Sequence, residues 1–253
     1  HSSVPKGSAA FNITKPGDVE VSLFDSQRSF SINGHVVHVQ RMPPVKFSFY
    51  GTQATLTSGR ARYHGALVLS GNFCIAANTF HAMVVDRWST GVEIRFFPKR
   101  VAARAYLNRI VFESASHNSG HQTDEFLSTQ TMVEVLADFI QRDLARTFST
   151  DLGSNDGTTN CIVFARRLGC ALADSPHVAE QFEAAVTGLQ RQAAEPATAP
   201  AGADETQRPI CVVCIVAEAT YGCLHVDTGL PVHLVACHDC AVHIGLAERL
   251  LGR

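Results

Sequence analysis

Apolar residues follow two different periods along this chain, and the change from one to the other divides its larger part. From Val19 to Phe97 they alternate with polar residues and are rich in β-branched and aromatic types. The runs are Val19 to Phe24, Phe30 to Ile32, His35 to Gln40, Val45 to Tyr50, Ala66 to Leu69, Phe73 to Ala77, His81 to Val85 and Val92 to Phe97. A period of two marks half-buried strands. The polar stretch Asp86 to Gly91 suits a hairpin connection, and a last strand is expected at Arg109 to Phe112. After a polar loop, Ser114 to Thr123, the spacing becomes helical: Met132, Val135, Leu136, Phe139, Ile140 and Leu144 define one face of a helix over Thr129 to Phe148. A second helix is expected over Cys161 to Leu172, with Thr159 or Asn160 near its N-cap, and a third begins at Ser175-Pro176. Strands followed by helices imply an α+β domain in which an antiparallel sheet carries helices.

That domain occupies residues 1–192. Residues 193–208 hold two prolines, several alanines and no large apolar side chain, so they cannot bury enough surface to fold and read as a flexible linker. The remainder, 209–253, is a separate small module. A formal net charge of −2 supplies no general attraction to phosphate backbones or anionic lipid, so nucleic acid and membrane surfaces are not the expected partners. The longest apolar runs fall far short of the roughly 20 residues needed to cross a bilayer.

Five of the eight cysteines crowd the tail. Cys211-x2-Cys214 and Cys237-x2-Cys240 flank Cys223, His225 and His233. Two Cys-x-x-Cys knuckles supply four thiolates in the tetrahedral arrangement that zinc prefers, and a module of this size has too little apolar surface to hold itself together unaided. Zinc is therefore the expected cofactor. Thiols in this pattern belong to a reducing compartment, cytoplasmic or nuclear. Gly222-Cys223-Leu-His225, Thr228-Gly229 and His233-Leu-Val-Ala-Cys237-His-Asp-Cys240 resemble the RING finger of the Mdm-type ubiquitin ligases over about thirty residues. The resemblance implies that the two Cys pairs share one zinc, and that His225 and His233 belong to a second site. The final Cys pair of that second site is missing here, so the tail is a partial RING.

In the larger domain, Cys161 opens a helix, where an N-terminus and a nearby imidazole would make its sulfur a better nucleophile. Spacing alone does not single out its partner among twelve histidines. The blocks Phe80-His81-Ala82-Met83-Val84-Val85 and Val92-Glu93-Ile94-Arg95-Phe96-Phe97, with Thr159-Asn160-Cys161-Ile162-Val163-Phe164 further on, resemble the PPPDE family of permuted papain-fold isopeptidases, which includes desumoylating enzymes. The resemblance spans roughly Val19 to Leu172 and implies a permuted papain-like fold. It also implies a thiol isopeptidase acting on ubiquitin or ubiquitin-like conjugates, with Cys161 as nucleophile and His81 as base. The sequence departs from that family where Pro98-Lys99-Arg100 replaces a Gly-rich stretch, and where Ile162 stands for the second Asn of the Cys block. Two alternatives accompany this expectation. One is a catalytically inactive adaptor or subunit that binds other protein subunits through its zinc finger; the other is thiol acyl transfer, as in the lecithin:retinol acyltransferase relatives that share an Asn-Cys block. Glu93 and Asp86 are candidates to orient His81. His35, His38 and His64 read as structural or exposed, and Trp88 as partly buried against the sheet.

Overall fold

The structure is a computed structural model that describes residues 8–21, 29–56, 61–110, 115–129, 132–150, 157–194, 221–224 and 231–236. The chain divides into two units, His1–Pro196 and Ala197–Arg253.

The first unit is mixed α/β, and its sheet is antiparallel throughout. Its strands are β1 (Ala9–Ile13), β2 (Val19–Val21), β3 (Ser29–Ile32), β4 (His35–Val39), β5 (Lys46–Leu56), β6 (Ala61–Ile75), β7 (Asn78–Trp88), β8 (Gly91–Phe97), then β9 (Ala115–Gln122) and β10 (Phe126–Leu127) beyond helix α1 (Arg100–Arg109). The main path runs β1-β8-β7-β6-β4-β3-β2. β6 is the hub: β7 lies along one edge, while the other edge is shared between β5 and β4. Then follow α2 (Met132–Leu144), a two-stranded parallel ribbon of β11 (Thr147–Phe148) and β12 (Thr158–Thr159), α3 (Cys161–Leu172) and α4 (Pro176–Ala194).

The helices divide between two apolar layers. The larger core joins the sheet to α2, α3 and α4 through Leu67, Leu69, Met83, Val85 and Phe96 against Leu136, Ile140, Phe164, Leu168 and Phe182. The smaller one seats α1 through Ala103, Tyr106 and Leu107 on Tyr50, Ala66, Val68, Ala82, Val84 and Phe97. Alternate residues of β6 and β7 thus face opposite layers, as the pleat requires. Phe164, Leu168 and Leu172 are wholly buried on one stripe of α3, each worth about 2 kcal/mol over exposure.

Several elements differ from the sequence expectation. The strand expected at Arg109 to Phe112 is not formed by Arg109, which ends α1, because Ala103, Tyr106 and Leu107 recur at helical spacing in a stretch of good helix formers. The expected loop Ser114 to Thr123 contains β9, a strand of polar sequence that pairs with β5. The two expected strands Ala66 to Leu69 and Phe73 to Ala77 are one strand, β6, joined through a bulge between Ser70 and Phe73. β7 continues through Asp86 to Trp88, so the turn is confined to Ser89 and Thr90. α2 stops at Leu144, because Thr147 and Phe148 pair with β12. α3 occupies the expected span, and α4 begins at Pro176, where Ser175 Oγ accepts the Val178 N–H at 3.3 Å. α4 continues two residues into the expected linker, to Ala194.

In the second unit the described residues form an antiparallel hairpin, β13 (Tyr221–Leu224) with β14 (Pro231–Ala236). No helix among the described residues is long and apolar enough to cross a membrane.

Candidate active site

Asn160 creates the start of α3. Its Oδ1 accepts the N–H groups of Ile162 at 3.1 Å and Val163 at 2.9 Å, and its carbonyl accepts the Phe164 N–H at 2.9 Å. This side-chain cap satisfies donors that have no partner within the helix. It fixes Cys161 as the first helical residue, half-buried, with Sγ 3.9 Å from the Tyr63 carbonyl of β6.

Gly65 allows the helix to come this close to the strand. A Cβ there would lie 3.1 Å from the Ile162 Cα and 3.0 Å from the Phe49 ring, so only glycine leaves room for the first turn of α3. Between Tyr63 and Gly65 lies His64, which is 4 % exposed. Its Nε2 is 2.9 Å from Oδ2 of Asp86, a fully buried carboxylate near the end of β7. The Cys161 side chain interacts with the same imidazole. Burial alone would push the His64 pKa down. Its hydrogen bond and electrostatic attraction to Asp86, with a further contribution from the Cys161 side chain, outweigh that and hold it up at about 10. The Trp88 indole stacks on the ring, with centroids 4.4 Å apart and planes 23° apart. The imidazole is thus held by the Asp86 carboxyl group and by an aromatic ring on one face, with the thiol at the start of α3 as a further partner.

His81 lies elsewhere. It is exposed, its Nδ1 is 2.8 Å from Asn72 Oδ1, and Asn72 in turn donates to Gln40 at 3.1 Å. The β6–β7 register pairs Ala66 with Asp86 and Ser70 with Ala82. His81 is thus five residues, roughly 16 Å, from Asp86 along the same strand, away from the end where Cys161 packs. The expected Cys161–His81 pair is not brought together, and Asp86 orients His64 instead. Glu93 bonds Arg95 and the Tyr106 hydroxyl, with Tyr106 Oη 2.7 Å from Oε1.

Two signals in the sequence pointed to His64. It occupies the same strand face as Ala66 and Val68, both buried, so a polar residue there needs a partner. It is also followed by a glycine in mid-strand, a sign of close approach by another backbone.

The other described thiols differ from Cys161. Burial pushes Cys170 up to about 11, with its Sγ 3.8 Å from the Ala179 carbonyl. Cys74 lies near Thr79 and Gln40, at the His81 end of the sheet. A small pocket of about 30 Å³ opens beside His64, lined by Phe49, Gly51, Tyr63 and Ile162 and closed by Leu189 and Gln190 of α4.

Of the expected zinc ligands, Cys211, Cys214, His225, Cys237 and Cys240 lie outside the described residues. His233 is in β14, next to Val232, the pairing partner of Cys223. Among the described residues no group of three or more His, Cys, Asp or Glu side chains is arranged to hold a metal ion. Comparison of the chain with protein-family models, with curated proteins and with solved structures finds no match.

Proposed function

We propose that the first unit is a cysteine-dependent acyl hydrolase of permuted papain-like type, with Cys161 as nucleophile, His64 as acid and base, and Asp86 as the residue that orients His64. The supporting observation is a buried imidazole bonded to Asp86 that also interacts with a thiol at a helix start. In chain order the imidazole precedes the nucleophile, the reverse of papain.

The sulfur attacks the carbonyl carbon of an amide, forming a C–S bond, and the carbonyl electrons move onto oxygen. Asn160 already engages the Ile162 and Val163 N–H groups, so the oxyanion donor in this mechanism is the N–H of Cys161 itself. The imidazolium of His64 protonates the departing amine as the C–N bond breaks. His64, now neutral, takes a proton from water, whose oxygen displaces the sulfur and releases the acid. Asp86 holds the ring in register through both steps, and Trp88 shields one face of the pair. The pocket beside His64 receives a compact apolar group of the substrate.

The proposed substrates are conjugates of ubiquitin or a ubiquitin-like protein, which makes the enzyme a thiol isopeptidase. This rests on the resemblance around Cys161 and its helix, because the His81 block of the same resemblance lies away from the thiol. The tail is proposed to bind zinc through Cys211, Cys214, Cys237 and Cys240. The test is covalent capture by ubiquitin-like proteins carrying a C-terminal electrophile. Wild type and His81→Ala should be captured, Cys161→Ala not at all, and His64→Ala far more slowly. Capture that persists in Cys161→Ala refutes the proposal. A folded wild type whose Cys161 alkylates no faster than Cys74 would instead favour the non-catalytic adaptor.

A further inference from the structure

Next to the site lies a buried polar network that takes no part in the chemistry above. Arg87 sits between Asp86 and Trp88 on β7 and is 4 % exposed. Its Nε donates to Asp143 Oδ2 at 3.0 Å, its Nη1 donates to the Trp88 carbonyl, and its guanidinium lies 5.7 Å from the centre of the Phe148 ring. Asp143, near the end of α2 and 1 % exposed, accepts the Thr159 hydroxyl on its other oxygen at 2.8 Å. Thr159 is fully buried and immediately precedes Asn160 and Cys161. The β11–β12 ribbon reinforces the same junction, with Ser149 N–H to the Thr159 carbonyl at 2.9 Å and Thr147 N–H to the Gly157 carbonyl at 3.1 Å.

A buried ion pair is a poor way to gain stability, because desolvating both charges offsets most of their attraction, and apolar replacements of similar volume often serve as well. Its distinctive property is directional: each partner has a fixed bonding geometry, so the elements it joins have one relative placement. Here it joins two neighbourhoods. One end is the strand segment that carries Asp86 and the stacking indole; the other is the two-residue approach to Cys161. We infer that Arg87, Asp143 and Thr159 act as positioning residues that set the distance between the Cys161 sulfur and the His64 imidazole. The inference rests on the proposed thiol site and adds that the site is held from behind by this clamp as well as by the packing of Gly65.

Thr159→Val tests it, because it removes one hydroxyl bond and leaves the ion pair whole. Asp143→Asn strands the Arg87 charge and is the variant at risk of unfolding. Two readouts are needed. One is the iodoacetamide alkylation rate of Cys161 relative to Cys74 in the same molecule, measured by peptide mass spectrometry. The other is the emission of Trp88, the sole tryptophan, which reports its stacking on His64. In Thr159→Val the Cys161 to Cys74 ratio should fall about 10-fold, in line with misplacement of a reacting group by a fraction of an ångström, and the emission should change. Thr159→Ser should restore both. A lowered melting temperature with an unchanged ratio and emission would make the network merely structural and overturn the inference, as would a loss that Thr159→Ser fails to rescue. If Cys161 is already unreactive in the wild type, the proposed thiol site fails; if it reacts equally in wild type and Thr159→Val, only the clamp fails.

Discussion

Gly65→Ala isolates the packing of helix against strand from every polar interaction of the site. The added Cβ would stand 3.0 Å from Phe49 Cε2, 3.1 Å from the Ile162 Cα and 3.1 Å from its Cγ1. Carbon atoms in contact prefer about 3.5–4.0 Å, so each contact is short by roughly half an ångström. Phe49 can tilt and the Ile162 side chain can rotate, but the Ile162 Cα belongs to a helix start held by the Asn160 cap and can only move with Cys161. Relief therefore shifts Cys161 by about 0.5 Å. Overpacking of this kind costs about 1–3 kcal/mol, against a total of about 5–15 kcal/mol for a domain, so the variant should fold with a lowered melting temperature. Since a misplacement of about 1 Å costs about 100-fold, half of that predicts roughly a 10-fold slower reaction at Cys161. The assay is the alkylation rate of Cys161, resolved from the other thiols by peptide mass spectrometry, alongside thermal unfolding. Gly188→Ala in α4 is the control: its Cβ meets nothing within 4 Å, and it should gain up to about 1 kcal/mol with the Cys161 rate unchanged. A folded Gly65→Ala protein with wild-type melting and a wild-type Cys161 rate would refute the argument that this glycine sets the approach of α3.

Three further outcomes are expected. The His64 pKa is raised from 6.5 to about 10 on folding, so the stability that its charged form contributes is fully present below about pH 6.5 and is lost as pH rises through about 10. Melting temperature followed against pH should fall in the alkaline limb for wild type and be flatter there for His64→Ala; an identical alkaline limb in both would refute it. Gly169→Ala in α3 would drive a Cβ into the buried Phe182 ring, a clash that side-chain rotation in a full core cannot relieve, so thermal unfolding should show a loss of about 1–3 kcal/mol. For the tail, metal analysis should find about one zinc per chain, lost when Cys211 and Cys214 are both replaced; a metal-free protein with an intact tail would dismiss the zinc module.

What the sequence disclosed and what it withheld follow a physical division. The α3 start, its Asn160 cap and the placement of Cys161 are local: they depend on residues within one turn, and those residues state them. The change from strands to helices is equally local in its periodicity. The role of His64 depends on a long-range register, β6 against β7, which pairs residues twenty positions apart and which no short window specifies. Asp86 was misplaced for a related reason. Asp-Arg-Trp-Ser-Thr-Gly reads as a polar turn, yet Asp86 and Arg87 are buried in the strand because His64 and Asp143 await them. Partners supplied by distant segments overrode a local preference for loop. β9 shows the same effect, since a polar segment became a strand by pairing with β5.

β6 has a consequence for how the protein loses its site. This strand carries His64, borders both apolar layers and is hydrogen-bonded to three different neighbours along its length. Amides of its central residues, Ala66 to Leu69, should exchange with solvent deuterium only through opening of the entire domain, among the slowest in the chain. Any partial opening that frees α3 while leaving this strand in place would separate sulfur from imidazole without exposing the imidazole's own backbone, so on heating the environment of Cys161 should change before those amides exchange.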